Sequence, residues 1–190
     1  LLPLLTWGEA QPVTRIYSLM GLLPQNQSLL REPPFRMPHQ SASLEGMVGG
    51  GYHCRPGESS LAHNGVLFLD EASEFKTSVL QALRVPLETG QVTLTRAGRS
   101  TCYPCRFQLL VATNPCPCGN FGVPGKICLC SMKSVEQFWR KFSAPLLDRM
   151  DIRVPVLVPE EGNTECKTTA ELRPAIKKAV AIQRQRQGKP

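Results

Sequence analysis

The sequence predicts an α/β protein built on a parallel sheet, and three segments support this fold class. Residues 66–69 are four consecutive large apolar residues, as in a strand buried on both faces of such a sheet. Residues 107–112 form a second apolar strand in which Gln108 is the one polar residue. A helix is predicted between the two strands, and Gly90 is a suitable residue to end it. Its apolar stripe consists of Phe75, Val79, Leu80, Leu83 and Leu87.

Length and composition indicate one soluble domain with a substantial core and a small appendage. Of the 190 residues, 42% are hydrophobic and 19% are charged, which excludes a disordered chain. No apolar run approaches the ~18 residues that cross a bilayer. The opening residues 1–5 have neither a basic region nor an initiating Met, so they do not form a signal peptide. We interpret them as the cut end of a longer chain.

The charge balance favours an anionic partner. Lys and Arg number 22 against 15 Asp and Glu, which gives a net charge of +7. Such an excess attracts nucleic acid, phosphates or an acidic protein. Eight Cys accompany strand and helix patterns that are typical of a cytoplasmic α/β protein. In that compartment, clustered Cys bind metal or stay reduced.

Polar side chains follow both predicted strands. Asp70 and Glu71 come directly after the first strand, and Asn114 follows the second. Ligands of open α/β sheets bind beyond the carboxyl ends of the strands, where one acid can hold a hard cation and the other can orient a water. An amide there can hydrogen-bond a phosphate or that water. The alternatives are helix capping by the acids and turn formation before Pro115.

Four Cys form a cluster after Asn114. Their pattern is C-x-C, nine residues, C-x-C, and the members are Cys116, Cys118, Cys128 and Cys130. Four thiolates suit tetrahedral zinc, although C-x2-4-C is the commoner ligand spacing. We predict a structural metal site, with free reduced thiols as the alternative. Cys102 and Cys105 have C-x-x-C spacing, which is a weak indication of a redox role.

Two segments are candidates for contacts with phosphates. Residues 23–57 are rich in Pro and Gly, which predicts an irregular segment, either functional or a solvated linker. This segment is basic through Arg31, Arg36, His39, His53 and Arg55. Residues 91–104 predict a hairpin that turns near 97–98, with Arg96 and Arg99 flanking the turn. Arg at such a tip can bind phosphates or remain solvated.

The remaining segments predict further helices and one strand. An amphipathic helix is predicted to end near Gly21, and a second is predicted over residues 134–142. Its inward residues would be Val135, Phe138, Trp139 and Phe142. Residues 144–151 place Arg149 between two acids, which suggests a local ion pair. A strand over 152–158, a hinge through Pro159 and Gly162, and a helix from about Leu172 complete the chain.

Together these motifs resemble one family. Residues 65–71 resemble the Walker B strand of AAA+ ATPases, Asn114 resembles their sensor 1, and residues 146–151 resemble their arginine-finger segment. The combination is similar to the magnesium-chelatase-like ComM/YifB proteins over nearly the whole chain. The motifs that carry this similarity are Arg36-Met37-Pro38-His39, Val48-Gly49-Gly50-Gly51, Arg55-Pro56-Gly57-Glu58 and Asn114-Pro115-Cys116-Pro117-Cys118-Gly119.

The resemblance implies a role for each matching residue. Asp70 would hold the Mg2+ of ATP, Glu71 would orient and deprotonate water, and Asn114 would position that water or the γ-phosphate. Arg149 would act on the ATP of a neighbouring subunit in a ring, which the family forms as a hexamer. Residues 23–57 would be the insertion after helix 2, and residues 91–104 would be the hairpin inserted before sensor 1. Such hairpins face the ring's pore in this superfamily, which would let Arg55, Arg96 and Arg99 contact DNA. The implied fold is a partial AAA+ P-loop NTPase core over 1–158, followed by a linker and the first lid helix over 159–190.

The chain departs from the family pattern in three places. No G-x-x-x-x-G-K-[ST] occurs, so the phosphate loop and the first strand are absent from this sequence. The sensor 2 Arg of the lid is also absent, and Gln40 stands where the family often has a second His. The family hydrolyses ATP, but we expect this chain alone to bind and hydrolyse it weakly or not at all.

Three functions are therefore compared. The first is a DNA-translocating ATPase that drives branch migration in recombination or competence. The second is a chelatase-type motor that remodels a protein partner. The third is a metal-stapled interaction module that performs no catalysis.

Overall fold

The computed structural model describes residues 2–96, 98–156 and 167–187. The helices are α1 (Trp7–Leu19), α2 (Leu44–Val48), α3 (Glu58–Leu61), α4 (Thr77–Ala82), α5 (Arg84–Thr89), α6 (Met132–Arg140), α7 (Ala144–Leu147) and α8 (Thr169–Gln187). The strands are β1 (Phe35–Arg36), β2 (Gly49–Gly50), β3 (Arg55–Pro56), β4 (Val66–Leu69), β5 (Gln91–Arg96), β6 (Arg99–Pro104) and β7 (Gln108–Val111).

The central sheet confirms the predicted α/β class. Its strand order is β1-β4-β7, and both pairings are parallel. Strand β4 lies in the middle, with Leu67 and Leu69 almost fully buried on one face. On the other face Val66 is buried and Phe68 is half-buried, so the predicted burial on both faces is nearly complete. The main core lies between this sheet and the helices that flank it, and its buried members include Met47, Phe75, Val79, Leu80, Leu83, Phe142 and Leu146.

The predicted helix between the two strands is present as two short helices, α4 and α5. Pro86 explains the division, since it has no N–H to donate to the carbonyl group four residues earlier. Leu83 joins the two helices and is fully buried, so the apolar stripe remains continuous across the break. Gly90 ends α5 with a φ of 68°, as predicted.

The predicted hairpin and first helix are also confirmed. Strands β5 and β6 pair antiparallel from Gln91 opposite Pro104 to Arg96 opposite Arg99. Helix α1 ends at Leu19, but it begins earlier than the apolar spacing indicates. The reason is a capping box, in which Thr6 and Glu9 satisfy each other's backbone N–H groups.

Residues 23–57 are more regular than their composition predicts. Strand β1 forms the edge of the central sheet, and the Val66 N–H donates to the Pro34 carbonyl at 2.8 Å. Two of the basic residues stabilise this segment. Arg36 makes a bidentate ion pair with Glu58 at 2.6 and 2.8 Å, and Arg31 donates to the Leu5 carbonyl. These two residues are therefore structural.

The predicted strand over 152–158 is wrong for the residues that the structure describes there. Residues 152–156 have no regular secondary structure, and Ile152, Val154 and Val156 are 72–92% exposed. A strand needs a partner for its backbone groups, and none of the described strands pairs with this segment. Residues 157–158 and the predicted hinge lie outside the described residues.

The predicted carboxyl-terminal helix is present as α8. Arg184 of α8 donates to both carboxylate oxygens of Glu9 at 3.1 Å, which ties this helix to the start of α1. Among the described helices, none combines the length and the apolar character that a membrane span requires.

A buried histidine lies beside the amino end of β4. His63 is 6% exposed, and its Nδ1 accepts a hydrogen bond from the Arg106 backbone N–H at 3.0 Å. Burial, together with the positive charge of Arg106, lowers the pKa of His63 to about 4. The neutral imidazole is therefore the form that the fold requires.

This histidine should make the fold sensitive to acid. The unfolded chain binds a proton at His63 below about pH 6.5, whereas the folded chain does so only near pH 4. Stability should therefore fall as the pH drops from about 6.5 to 4, by about 2 to 3 kcal/mol from this residue. Urea unfolding at pH 7 and pH 4.5 measures the loss. His63→Asn keeps an acceptor for Arg106 and should reduce it, so equal losses in both proteins would contradict this account.

Candidate functional site

Strands β4 and β7 bring the predicted acids and amide to one edge of the sheet. Leu69 pairs with Val111, so Asp70 and Ala112 are the first residues beyond the two strands. The Ala112 N–H donates to Leu69, and the Ala72 N–H donates to Ala112, both at 2.9 Å. These bonds join the loop that carries Asp70 and Glu71 to the loop that carries Asn114. All three polar residues are exposed at this edge.

Glu71 has a strained backbone that the sequence does not reveal. Its φ of 46° and ψ of 47° are left-handed, which costs about 1–3 kcal/mol for a residue other than Gly. Its N–H donates to the Asp70 carboxylate at 3.0 Å. A 3-10 turn follows, in which Ser73 is buried and its carbonyl accepts from Lys141 Nζ at 2.6 Å. The turn thus holds the Glu71 backbone in place while its carboxylate faces solvent.

The chain after Asn114 is fixed from two sides. Trp139 donates its indole N–H to the Pro115 carbonyl at 3.0 Å, and Cys116 is fully buried. The Trp139 side chain was predicted to face inward but remains 37% exposed, because its N–H reaches this loop at the surface. Val135, Phe138 and Phe142 are buried as predicted. Helix α6 therefore supports the segment that presents Asn114.

Arg149 follows α7 and has a partner that the sequence does not indicate. Its guanidinium donates to Glu88 of α5 at 2.9 Å, rather than to Asp148 or Asp151 beside it in sequence. The side chains of Arg149 and Glu88 are 45% and 59% exposed. An exposed pair of this kind contributes at most about 1 kcal/mol. Arg149 is therefore a surface residue.

The four clustered thiols have the geometry of a metal site. Cys116 Sγ lies 3.3 Å from Cys118 Sγ and 3.7 Å from Cys128 Sγ, and the latter two sulfur atoms are 3.6 Å apart. Including Cys130, all four sulfur atoms lie within 4.8 Å of one another. Sulfur atoms around tetrahedral zinc lie about 3.8 Å apart, given a Zn–S distance of about 2.3 Å. The cluster could hold a metal ion.

Local backbone geometry explains how Cys116 and Cys118, with one residue between them, bring their thiols together. Gly119 has a φ of 77°, and its N–H donates to the Cys116 carbonyl in a turn that brings the thiols together. The Phe121 N–H donates to Cys116 Sγ at 3.3 Å. The Asn120 backbone N–H is the main cause that lowers the pKa of Cys118 to about 6. At Cys130 the backbone N–H of Cys118 lowers the pKa, but hydrogen bonds with the neighbouring thiols and burial raise it to about 12. Thiolate is the form that binds metal.

The C-x-x-C pair at Cys102 and Cys105 differs from this cluster. Cys102 is exposed, whereas Cys105 is 1% exposed and free. Burial is the main cause that raises the pKa of Cys105 to about 12, which disfavours the reactive thiolate. Nothing in this geometry supports the redox role that the spacing suggested.

The predicted DNA-contacting residues lie on two hairpins that pack together. Arg55 is exposed on β3, and Arg96 is exposed at the end of β5. The Tyr103 hydroxyl donates to the Cys54 carbonyl at 2.9 Å, which joins β6 to the β2–β3 hairpin. Arg99 pairs with Arg96 through the backbone register. The structure thus brings the strands that carry these three residues into one region.

Fold and comparisons together define the class of protein. The α/β fold, with its parallel three-stranded sheet and flanking helices, is that of a P-loop NTPase-like core. The sequence model of the magnesium chelatase, subunit ChlI, family matches residues 1–164. The chain therefore belongs to the magnesium chelatase, subunit ChlI, family, which confirms the predicted resemblance.

Relatives from three bacteria match nearly all of the chain. It is 43% identical to the uncharacterised protein Rv2897c of Mycobacterium tuberculosis over 98% of its length. It is 42% identical to the uncharacterised protein YifB of Escherichia coli and 40% identical to the competence protein ComM of Haemophilus influenzae, in both cases over 100% of its length. The chain spans only 37–38% of the length of these relatives.

Proposed function

We propose that this chain supplies catalytic residues to a magnesium-chelatase-like AAA+ ATPase that couples ATP hydrolysis to movement along DNA. The observation that supports it is the position of Asp70, Glu71 and Asn114 beyond the carboxyl ends of β4 and β7. Proteins with this kind of sheet bind ligands in the crevice at that edge. Two carboxylates and an uncharged amide are suited to a metal-bound phosphate and an attacking water.

Each residue has a separate role in this proposal. Asp70 offers an exposed carboxylate, the oxygen ligand that Mg2+ prefers, so its donor chemistry fits the ion. When bound, ATP would supply the reacting γ-phosphate and Mg2+ would neutralise its charge. Glu71 orients a water and accepts its proton, and Asn114 fixes the position of that water or of the γ-phosphate.

Arg149 would act between subunits of a hexameric ring. An arginine that stabilises transition-state charge in a neighbour is worth ~10³-fold or more in rate in related systems. Its exposure fits this role, because only a surface residue can reach another copy. Residues 1–158 would form the partial ATPase core and 159–190 the linker and first lid helix. We place the assembled motor in the cytoplasm.

The cysteine cluster would hold a structural Zn2+. The sulfur separations fit a tetrahedral site, and the cluster begins two residues after Asn114. A metal ion there would stabilise the segment after Asn114, in addition to the hydrogen bond from Trp139 to the Pro115 carbonyl. In this role Cys116, Cys118, Cys128 and Cys130 position the amide without touching substrate.

DNA is the proposed substrate of the motor. The chain carries a net charge of +7, and Arg55, Arg96 and Arg99 lie on two adjoining hairpins. One relative is named a competence protein. Together these observations favour translocation or branch migration on DNA over the remodelling of a protein partner.

Binding of DNA should depend on the hairpin arginines. Changing Arg96 and Arg99 to Ala in the 190-residue chain should weaken binding of labelled DNA and reduce the salt slope of log affinity by about two. Fluorescence anisotropy between 50 and 200 mM salt measures the affinity and its salt slope. The slope reports the contacts with phosphates, because these contacts weaken as the salt concentration rises.

A matched control removes two positive charges elsewhere. Arg140 and Arg173 are exposed on α6 and α8, so their double change to Ala gives the same net charge. The control should retain the affinity and the slope of the unchanged chain. If both double variants bind DNA as well as the unchanged chain does, the assignment of DNA contacts to Arg96 and Arg99 is wrong.

A further inference from the structure

The tip of the β2–β3 hairpin exposes two adjacent aromatic rings. Tyr52 is 80% exposed, and His53 is also exposed. Their ring centroids lie 5.0 Å apart with the ring planes at 89°, an edge-to-face arrangement. The pair adds no buried contact to the core, since only Cys54 in this tip is buried. The Tyr52 ring is thus exposed to solvent, with the His53 ring against it edge-to-face.

Hydrogen bonds and close packing fix the backbone of this tip. The Cys54 N–H donates to the Gly51 carbonyl at 3.2 Å, and the Cys54 carbonyl accepts from the Tyr103 hydroxyl at 2.9 Å. At the base of the hairpin, a Cβ on Gly49 would lie 2.6 Å from the Arg55 carbonyl oxygen and 3.0 Å from Leu94 Cδ1. The two hairpins therefore pack as closely as a glycine permits, which fixes the backbone that carries the rings beside β5.

The two hairpins contain basic but no acidic residues, and Glu45 of α2 is the acidic side chain that lies against Gly50 at the edge of the β2–β3 hairpin. Residues 49–57 and 91–104 contain Arg55, Arg96 and Arg99 but neither Asp nor Glu. Such a surface attracts a polyanion. Exposed aromatic rings beside positive charge are the combination by which proteins hold single-stranded nucleic acid, with bases on the rings and phosphates on the basic groups. Bases in a duplex are already stacked on one another and cannot reach the rings.

We propose that Tyr52 stacks on an unpaired base of single-stranded DNA, with His53 supporting its ring edge-on and with Arg55 and Arg96 meeting the flanking phosphates. This inference rests on the proposed DNA function and names its substrate as the single strand. Tyr52 supplies the contact that is insensitive to salt, and the arginines supply the contact that salt weakens.

The test measures binding of a fluorescent oligo-dT strand and of a labelled duplex by the 190-residue chain. Base stacking on an aromatic ring is worth ~1–3 kcal/mol, so Tyr52→Ala should weaken binding of the single strand by about 5- to 150-fold. The salt slope should stay unchanged because no charge is lost. Duplex affinity should change less than about twofold. Tyr52→Phe keeps the ring and should bind as the unchanged chain does.

The other outcomes reject the inference, and they distinguish a failure of base stacking from a failure of the proposed DNA function. Equal binding by Tyr52→Ala, with weaker binding by the double Arg96 and Arg99 variant, rejects stacking and leaves the DNA function intact. Equal losses for single strand and duplex, or a loss in Tyr52→Phe, also reject it. If the unchanged chain binds neither DNA, the proposed function fails together with the inference. Urea unfolding of each variant confirms that this exposed position leaves the fold intact.

Discussion

Replacing Glu71 by Gln is expected to lower the ATPase rate about 10²- to 10⁴-fold, the usual contribution of a general base. The substitution keeps the size of the side chain and removes the carboxylate that accepts the proton of water. The left-handed backbone at this position is equally strained with Gln, so the turn should keep its shape. Affinity for ATP should change little, because Asp70 and Asn114 are untouched.

The experiment requires the phosphate loop that this sequence does not contain. A chimaera in which the chain replaces the matching segment of Escherichia coli YifB supplies it, given 42% identity over 190 residues. Phosphate release measures turnover. Glu74→Gln is the matched control, because Glu74 is exposed three residues later on the same turn and Gln keeps the oxygen that accepts from the Ser73 hydroxyl at 3.2 Å. Full activity in the Glu71 variant would remove the proposed catalytic role, and no turnover in the unchanged chimaera would favour the non-catalytic interaction module.

Cys118→Ser is expected to abolish metal binding and to lower thermal stability. The purified 190-residue chain should contain one zinc atom per chain by elemental analysis, and the variant should contain none. Structural zinc sites contribute directly to folding free energy, at about 10–16 kcal/mol for zinc-finger peptides. The effect here should be smaller, because the loop that carries the cluster is also held by the Trp139 indole and by the burial of Cys116.

Cys102→Ser provides the comparison for this metal prediction. Cys102 is exposed on the β5–β6 hairpin and lies outside the cluster, so its replacement should leave zinc content and melting temperature unchanged. A metal-free chain that melts at the same temperature as Cys118→Ser would show that the four sulfur atoms are reduced thiols. A chelator should reproduce the effect of Cys118→Ser on the unchanged chain.

The sequence predicted the elements that follow simple periodic rules. Four consecutive apolar residues identified β4, alternation around a two-residue turn identified the β5–β6 hairpin, and Gly90 marked the end of α5. Parallel pairing then follows from the helices between β4 and β7, and it places Asp70 and Asn114 at one edge. The positions of the candidate residues were therefore predictable, although their catalytic roles remain a proposal.

Other features depend on contacts between distant residues and could not be predicted. Strand β1 is two residues long and forms because β4 lies beside it, whereas local composition indicates a loop. The segment 152–156 has the apolar residues of a strand, yet no described strand pairs with it. The left-handed backbone of Glu71 is imposed by the bonds that hold its turn, since a Glu gives no local sign of that conformation.

The ion pair between Arg149 and Glu88 bears on how such a ring could assemble. In the single chain the guanidinium is paired with Glu88 on its own surface. In the proposed ring, Arg149 would leave Glu88 and contact the ATP of the neighbouring subunit. Because an exposed pair is worth at most about 1 kcal/mol, the exchange presents only a small barrier to association.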